Sequence, residues 1–188
     1  DQDETNDTNL LTALRVELGL PGLPGPQVAV TSMVRHPWDS DLSFEDAFRF
    51  DPRSGGRRND AIGAVTFLLP VASIGLRLHG TWGRGDSFLN AEDLLTEVDH
   101  NQFWAIGLHQ AWRHTEHGPS WSLSTEHASS VASPSQLTYR GEQSLTVYRH
   151  SALRQGHTQR GQLIGPSIGP GARATYMSLE RASGARYW

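Results

Sequence analysis

The chain has no cysteine and no lysine. Lack of cysteine excludes disulfides, thiolate metal sites and a cysteine nucleophile, and is compatible with an oxidising, extracytoplasmic compartment. Lack of lysine leaves arginine as the basic residue beside histidine, a bias that a GC-rich genome accounts for. Charge of either sign never gathers into blocks, and the formal net charge is -4. A nucleic-acid binder would need a basic face, so this balance argues against one. No apolar run approaches the length of a transmembrane helix, a test that is blind to transmembrane strands. There is no internal repeat. The opening DQDETNDTN is acidic and polar rather than a signal peptide. The expectation is that a signal has been removed or that this is part of a longer chain. With 188 residues the length suits a single domain, 1–188, with a polar tail over 1–9.

What the chain has is alternation. Leu14, Val16, Leu18 and Leu20 alternate with Ala13, Arg15, Glu17 and Gly19, a period of two with one apolar face. PGLPGP (21–26) breaks this strand as a turn, and Gln27 to Val34 resumes it. Residues 35–60 are polar with interspersed aromatics. Ala61 to Leu69 is a small and apolar strand expected to end at Pro70. The cleanest alternation follows: Ser73, Gly75, Arg77, His79 and Thr81 on one face, Ile74, Leu76, Leu78, Gly80 and Trp82 on the other. Asn90 to Glu97 reads as one short helix in a loop, capped by Asn90 with Glu92 and Asp93 in its first turn. Gln102 to Arg113 is a long strand, and another starts at Ser120. Gln143 to His150 and Ala174 to Arg181 complete roughly seven to nine strands of an antiparallel sheet.

Two environments produce this pattern. A soluble sandwich buries the apolar face and wets the other. A transmembrane barrel turns the apolar face to lipid and the polar or small one inward. Strands of about ten residues span a bilayer when tilted. Arg77, His79, His109, Arg113, Ser122, Ser124 and Glu126 suit a polar lumen. Trp82, Trp104, Trp112 and Trp121 fall near strand ends on the apolar face, where interfacial aromatics sit. The pattern alone leaves both environments open.

One stretch breaks the alternation. Tyr148 to Gly171, YRHSALRQGHTQRGQLIGPSIGPG, is rich in Gly and Pro, which belong in neither a helix interior nor a central strand. It interleaves His150, Arg154, His157 and Arg160 with Leu153, Leu163, Ile164 and Ile168. A long ordered loop in a small domain is usually functional. These four basic residues, with Arg77 and His79, are the candidate ligand contacts, because a guanidinium fork suits carboxylates such as those of acidic sugars. The competing reading is lumen-filling side chains paired with acids such as Glu126 and Glu142. Other clusters carry less. His114, Glu116 and His117 lie in a turn and lack further metal ligands. Asp86, Glu92, Asp93, Glu97 and Asp99 lack calcium-loop spacing. Ser120 and His127 have no nucleophile elbow around them. GRGDS over 83–87 is a chance match, and GQLIGPSIGPG lacks the strand and helix that a phosphate loop needs.

The segments GLRLHGTWGRGDSFLNAEDLLTEVDHNQFWAIGL, WSLSTEHASS and YRHSALRQGHTQRGQLIGPSIGPGARATYMSLER together resemble the capsule assembly Wzi family of bacterial outer-membrane proteins. HTQRGQLIGPSIGPGA is the most specific piece, followed by the acidic stretch from Asp86 to Asp99-His100. GLPGLPGPQVAVT is similar to an earlier strand pair, so the resemblance runs from about Leu14 to Arg181. It implies an outer-membrane β-barrel acting as a surface lectin that attaches capsular or exopolysaccharide to the cell, without enzymatic activity and without a required cofactor. Members of the family are much longer, with more strands and a periplasmic helical part. The fold expected here is therefore all-β: an antiparallel transmembrane β-barrel, or a segment of one that borrows strands. The expected partners are surface polysaccharide, outer-membrane lipid, other envelope proteins or the rest of a parent chain, with no nucleic acid, no catalytic residues and no metal. The alternatives are a structural barrel subunit of a larger envelope complex, or a soluble carbohydrate-binding or hydrolytic sandwich.

Overall fold

In the computed structural model the described residues are 9–20, 25–37, 60–85, 99, 101–113, 119–134, 137, 158–159, 162–163 and 168–182. They form an all-β protein. Seven long strands make one antiparallel sheet: β1 (Asn9–Gly19), β2 (Gln27–Pro37), β3 (Asp60–Val71), β4 (Leu76–Gly85), β5 (Gln102–Arg113), β6 (Ser120–Ser129) and β9 (Arg173–Ala182). The remaining pair, β7 (Thr158–Gln159) and β8 (Gln162–Leu163), is a separate two-stranded hairpin. In the large sheet each strand pairs with its neighbour in chain order, so the topology is a meander. Each strand is 10 to 12 residues long, the length that crosses a bilayer at a tilt.

The sheet is open rather than closed as a barrel. Among the described residues β1 and β9 each pair on one side only. Successive pairs are all antiparallel, so the first and seventh strands run in the same direction. They therefore cannot meet as an antiparallel pair.

Connections differ sharply between the two ends of the sheet. At one end the strands are joined by residues 20–26, 72–75 and 114–119; at the other, by 38–59, 86–101 and 130–172. The last connection returns to the sheet through a turn held by Ser130, which is 1% exposed. Its Oγ donates to the Gly169 carbonyl at 2.7 Å and accepts from the Ala172 N–H at 3.1 Å. Gly169 and Gly171 have φ of 71° and 67°, a region a side chain would strain. The Gly-Pro-Gly run thus makes the sharp bend its composition predicts.

Several boundaries differ from the sequence reading. β1 begins at Asn9, inside the stretch read as a polar tail. β3 runs through Pro70 to Val71. Pro70 is tolerated because its only strand partner is Arg77 of β4: the pairing with β2 stops at Leu68, so no ladder bond is lost there. Ile74 leaves the β4 face. Residues Ala72–Ile74 form a 3-10 turn and the strand starts at Leu76. The helix read over Asn90 to Glu97 and the strand read over Gln143 to His150 lie outside the described residues.

The register sorts side chains onto two faces. Rows such as Leu18–Val28–Phe67–Gly80–Ile106–His127–Thr175 and Leu69–Leu78–Leu108–Thr125–Met177 make one face apolar. Much of it is open: Val16 is 53% exposed, Ile106 56%, Met177 72% and Leu179 59%. The opposite face holds the polar and small residues, and with them the main buried apolar cluster, Ile62 packed by Met33 and Phe103. Tryptophans mark both ends of the apolar face. Trp82 pairs with Trp104 at the long-connection end and Trp112 with Trp121 at the short-connection end. Trp104 and Trp112 are eight positions apart on β5, roughly 27 Å along the strand. At a tilt of about 40° that is about 20 Å of height, comparable to the apolar band of a membrane barrel.

Candidate functional site

The polar face is a connected band of side chains. Its centre is the row Gln27–Leu68–His79–Gly107–Glu126–Tyr176, read strand to strand through the register. His79 on β4 and Glu126 on β6 are separated by the whole of β5, or roughly 9.5 Å between backbones. They nevertheless meet, with His79 Nε2 3.1 Å from Glu126 Oε2. The residue between them is Gly107. A Cβ there would lie 2.5 Å from His79 Nε2 and 2.8 Å from the Thr125 carbonyl oxygen, so only glycine lets the imidazole lie across β5. The two side chains remain 35% and 47% exposed.

Further polar contacts extend the band in both directions. His109 Nδ1 is 2.9 Å from Ser124 Oγ across β5 and β6, and Arg77 stands opposite His109 in the register. Thr66 and Thr81 hydroxyls are 3.1 Å apart on β3 and β4. At the β1 edge Arg15 pairs with Glu17 at 3.2 Å and donates to Thr31 Oγ1 at 3.4 Å. At the β9 edge Ser178 Oγ donates to Glu180 at 3.3 Å. A shallow pocket of about 180 Å³ opens on this face between the Arg15–Glu17 pair and His79, with Gln27 and Thr66 in its wall.

These groups place hydroxyl, imidazole, guanidinium and carboxylate side chains along one surface, chemistry that water or the hydroxyls of a sugar can meet. It is poorly arranged for nucleophilic catalysis. Ser124 and His109 are in contact, but the neighbouring carboxylate, Glu126, is taken by His79. Among the described residues no carboxylate orients His109, the third member that an activated serine uses. Ser120 and His127 lie on opposite faces of β6. Among the described residues no three His, Asp or Glu side chains converge as metal ligands do.

Of the six residues singled out from the sequence, Arg77 and His79 sit on this polar face. His150, Arg154, His157 and Arg160 lie outside the described residues. Sequence reasoning held Glu126, in its competing reading, as an acid for lumen-filling basic residues; among the described residues it pairs with His79. It missed Gly107 as the gap that allows this, and the Arg15–Glu17 and Thr66–Thr81 contacts. The signal was there in part: strand phase puts all of them on one face, but which residues stand opposite depends on register, which the connections fix.

The other face carries polar contacts near its ends. His127 Nδ1 is 2.7 Å from Thr175 Oγ1, and its ring stacks at a tilt on Trp104 with centroids 5.3 Å apart. At the short-connection end Arg181 lies over the Trp121 ring at 5.7 Å, within cation–π range.

The chain matches no protein-family model, no curated protein and no solved structure.

Proposed function

We propose that this chain is a wall of a bacterial outer-membrane β-barrel that holds capsular or exopolysaccharide at the cell surface, without catalysis. The observation that carries the membrane part is the polarity of the sheet: one face is apolar across all seven strands, with exposed large apolar side chains on β1, β2, β3, β5 and β9, while polar groups pair with one another on the opposite side. Water disfavours this much open apolar surface on one face, and lipid accommodates it. Tryptophan pairs at both ends of the apolar face agree with interfacial belts. Short connections at one end and long ones at the other agree with periplasmic turns and extracellular loops. An antiparallel closure takes an odd number of strands between β9 and β1, since those two run the same way.

The polysaccharide part rests on the resemblance of HTQRGQLIGPSIGPGA and its neighbouring segments to capsule assembly proteins. In this reading the contacts are Arg77 and His79 on the inner face with His150, Arg154, His157 and Arg160 of the longest connection. A second reading, a structural barrel subunit of an envelope complex, draws on the two one-sided edges, β1 and β9.

Two experiments divide these readings. The purified chain should require detergent, and brominated lipids should quench its tryptophan fluorescence after reconstitution. A detergent-free monomer that ignores lipid sinks the membrane reading. In cells, Arg160→Ala should release polysaccharide into the medium while heat-modifiable gel mobility, a mark of folded barrels, is retained. Unchanged retention with an intact fold favours the structural subunit.

A further inference from the structure

We infer that the long-connection end of the apolar face carries a site for the phosphate of an anionic lipid, built from Arg173, His127 and Trp104. The inference rests on the membrane reading above and goes beyond it by assigning residues on the lipid side. Three strands bring these residues together. Trp104 stands opposite Ser129 on β6, and Ser129 stands opposite Arg173 on β9. His127 is the diagonal neighbour of both, and diagonal positions across an antiparallel pair are about 7–8 Å apart, within reach of an arginine.

The chemistry is complementary to a phosphomonoester at a membrane surface. Arg173 is exposed and offers a planar fork of N–H donors. The contact of His127 Nδ1 with Thr175 Oγ1 at 2.7 Å engages one ring nitrogen, and among the described residues Nε2 has no hydrogen-bond partner. Nε2 carries a hydrogen in the charged ring, and also in the neutral ring when the Thr175 hydroxyl donates to Nδ1. Trp104 holds the imidazole from the side. Immediately along the same face come Ile106, Met177 and Leu179, all more than half exposed, a surface for acyl chains directly below a cationic head site. The described apolar face bears no acidic residue, and its arginines are confined to strand ends: Arg84, Arg173 and Arg181. Arg181 at the opposite end lies over Trp121 and has no histidine beside it in the register.

The test uses the full chain in detergent, with lipid binding followed by native mass spectrometry. Phosphatidic acid and phosphatidylcholine of identical acyl chains are the probes. Phosphatidic acid should bind about tenfold tighter, the worth of one charge-assisted contact. Arg173→Gln should abolish that preference and His127→Gln should reduce it, while Arg173→Lys keeps part of it and Arg181→Gln leaves it unchanged. Excess inorganic phosphate should not displace the lipid, because the acyl chains contribute. Equal affinity for the two lipids overturns the site, as does an unchanged preference in Arg173→Gln with its β-sheet circular dichroism intact. Displacement by inorganic phosphate alone would reduce it to an anion site and overturn the lipid assignment. A chain that retains neither lipid and needs no detergent overturns the membrane reading together with the site.

Discussion

Alternate residues of a single strand meet opposite environments here. On β4, the half-buried Leu76, Leu78 and Trp82 belong to the apolar face, and Arg77, His79 and Thr81 to the polar one. The polar side chains find partners across the sheet, on the next strand as Thr81 does with Thr66, or two strands away as His79 does with Glu126. The apolar ones find rather little: Ile62, Met33 and Phe103 are packed on the polar side, whereas Ile106 and Met177 stand open. A soluble sheet inverts this, burying its apolar face under a second layer. Polarity of the strands is therefore less informative than which face is covered. That is the difference on which the membrane reading depends.

The strongest way to break the comparison is to place a charge at the centre of the apolar face. Leu108 lies midway between Trp104 and Trp112 and stands opposite Leu78. Leu108→Arg should cost about 2–4 kcal/mol in a bilayer, whereas Leu76→Arg, at the first position of its strand, should cost about 0–1 kcal/mol. Urea unfolding of the chain in phosphatidylcholine vesicles measures both. Equal costs would show that the face has no depth profile and is not a lipid surface.

A smaller effect sharpens the view of the polar face. Gly107→Val puts a branched side chain where the His79 ring lies and against the Thr125 carbonyl. The displacement should cost about 1–3 kcal/mol, the usual range for overpacking. If the cost arises at His79, the same substitution in a His79→Ala background should be milder by about 0.5–3 kcal/mol. Additive costs would move the clash to the β6 backbone and remove Gly107 from the His79–Glu126 device.

Much of the fold was legible because period two survives in each strand with few interruptions. Gln102 to Arg113 was read to the residue, and Ala174 to Arg181 to within one at each end. Boundaries failed where local rules gave way to pairing. Pro70 reads as a stop, yet β3 continues because β2 has already ended beside it. Ile74 fits the alternation, yet the chain spends Ala72–Ile74 on a 3-10 turn. The site was harder to read. Phase places His79 and Glu126 on one face, but their meeting depends on β5 standing between them with a glycine in the right row. No local pattern around His79 or Glu126 announces that distance. Openness of the sheet entered only as one option, a segment that borrows strands, and from chain length rather than pattern, because strand alternation does not say whether the first and last strands can pair.

The least costly change tests whether the polar face works through charge or through fit. Glu126→Gln keeps the shape of the side chain and can still hydrogen-bond to His79, but removes the carboxylate. The pair is partly solvated, with the two side chains 35% and 47% exposed, so water already screens it. An exposed ion pair is worth about 0.2–1 kcal/mol, and the imidazole contributes charge only while protonated. The expected loss is therefore below about 1 kcal/mol, and it should shrink further in about 1 M salt, where screening acts within about 3 Å. Gly107→Val, being steric, should keep its cost in the same salt. The two variants compared in low and high salt by urea unfolding separate the contributions. A large, salt-resistant loss in Glu126→Gln would mean that the carboxylate is a structural tie across β5. The polar face would then be a packed wall and not a hydrated surface open to a sugar chain.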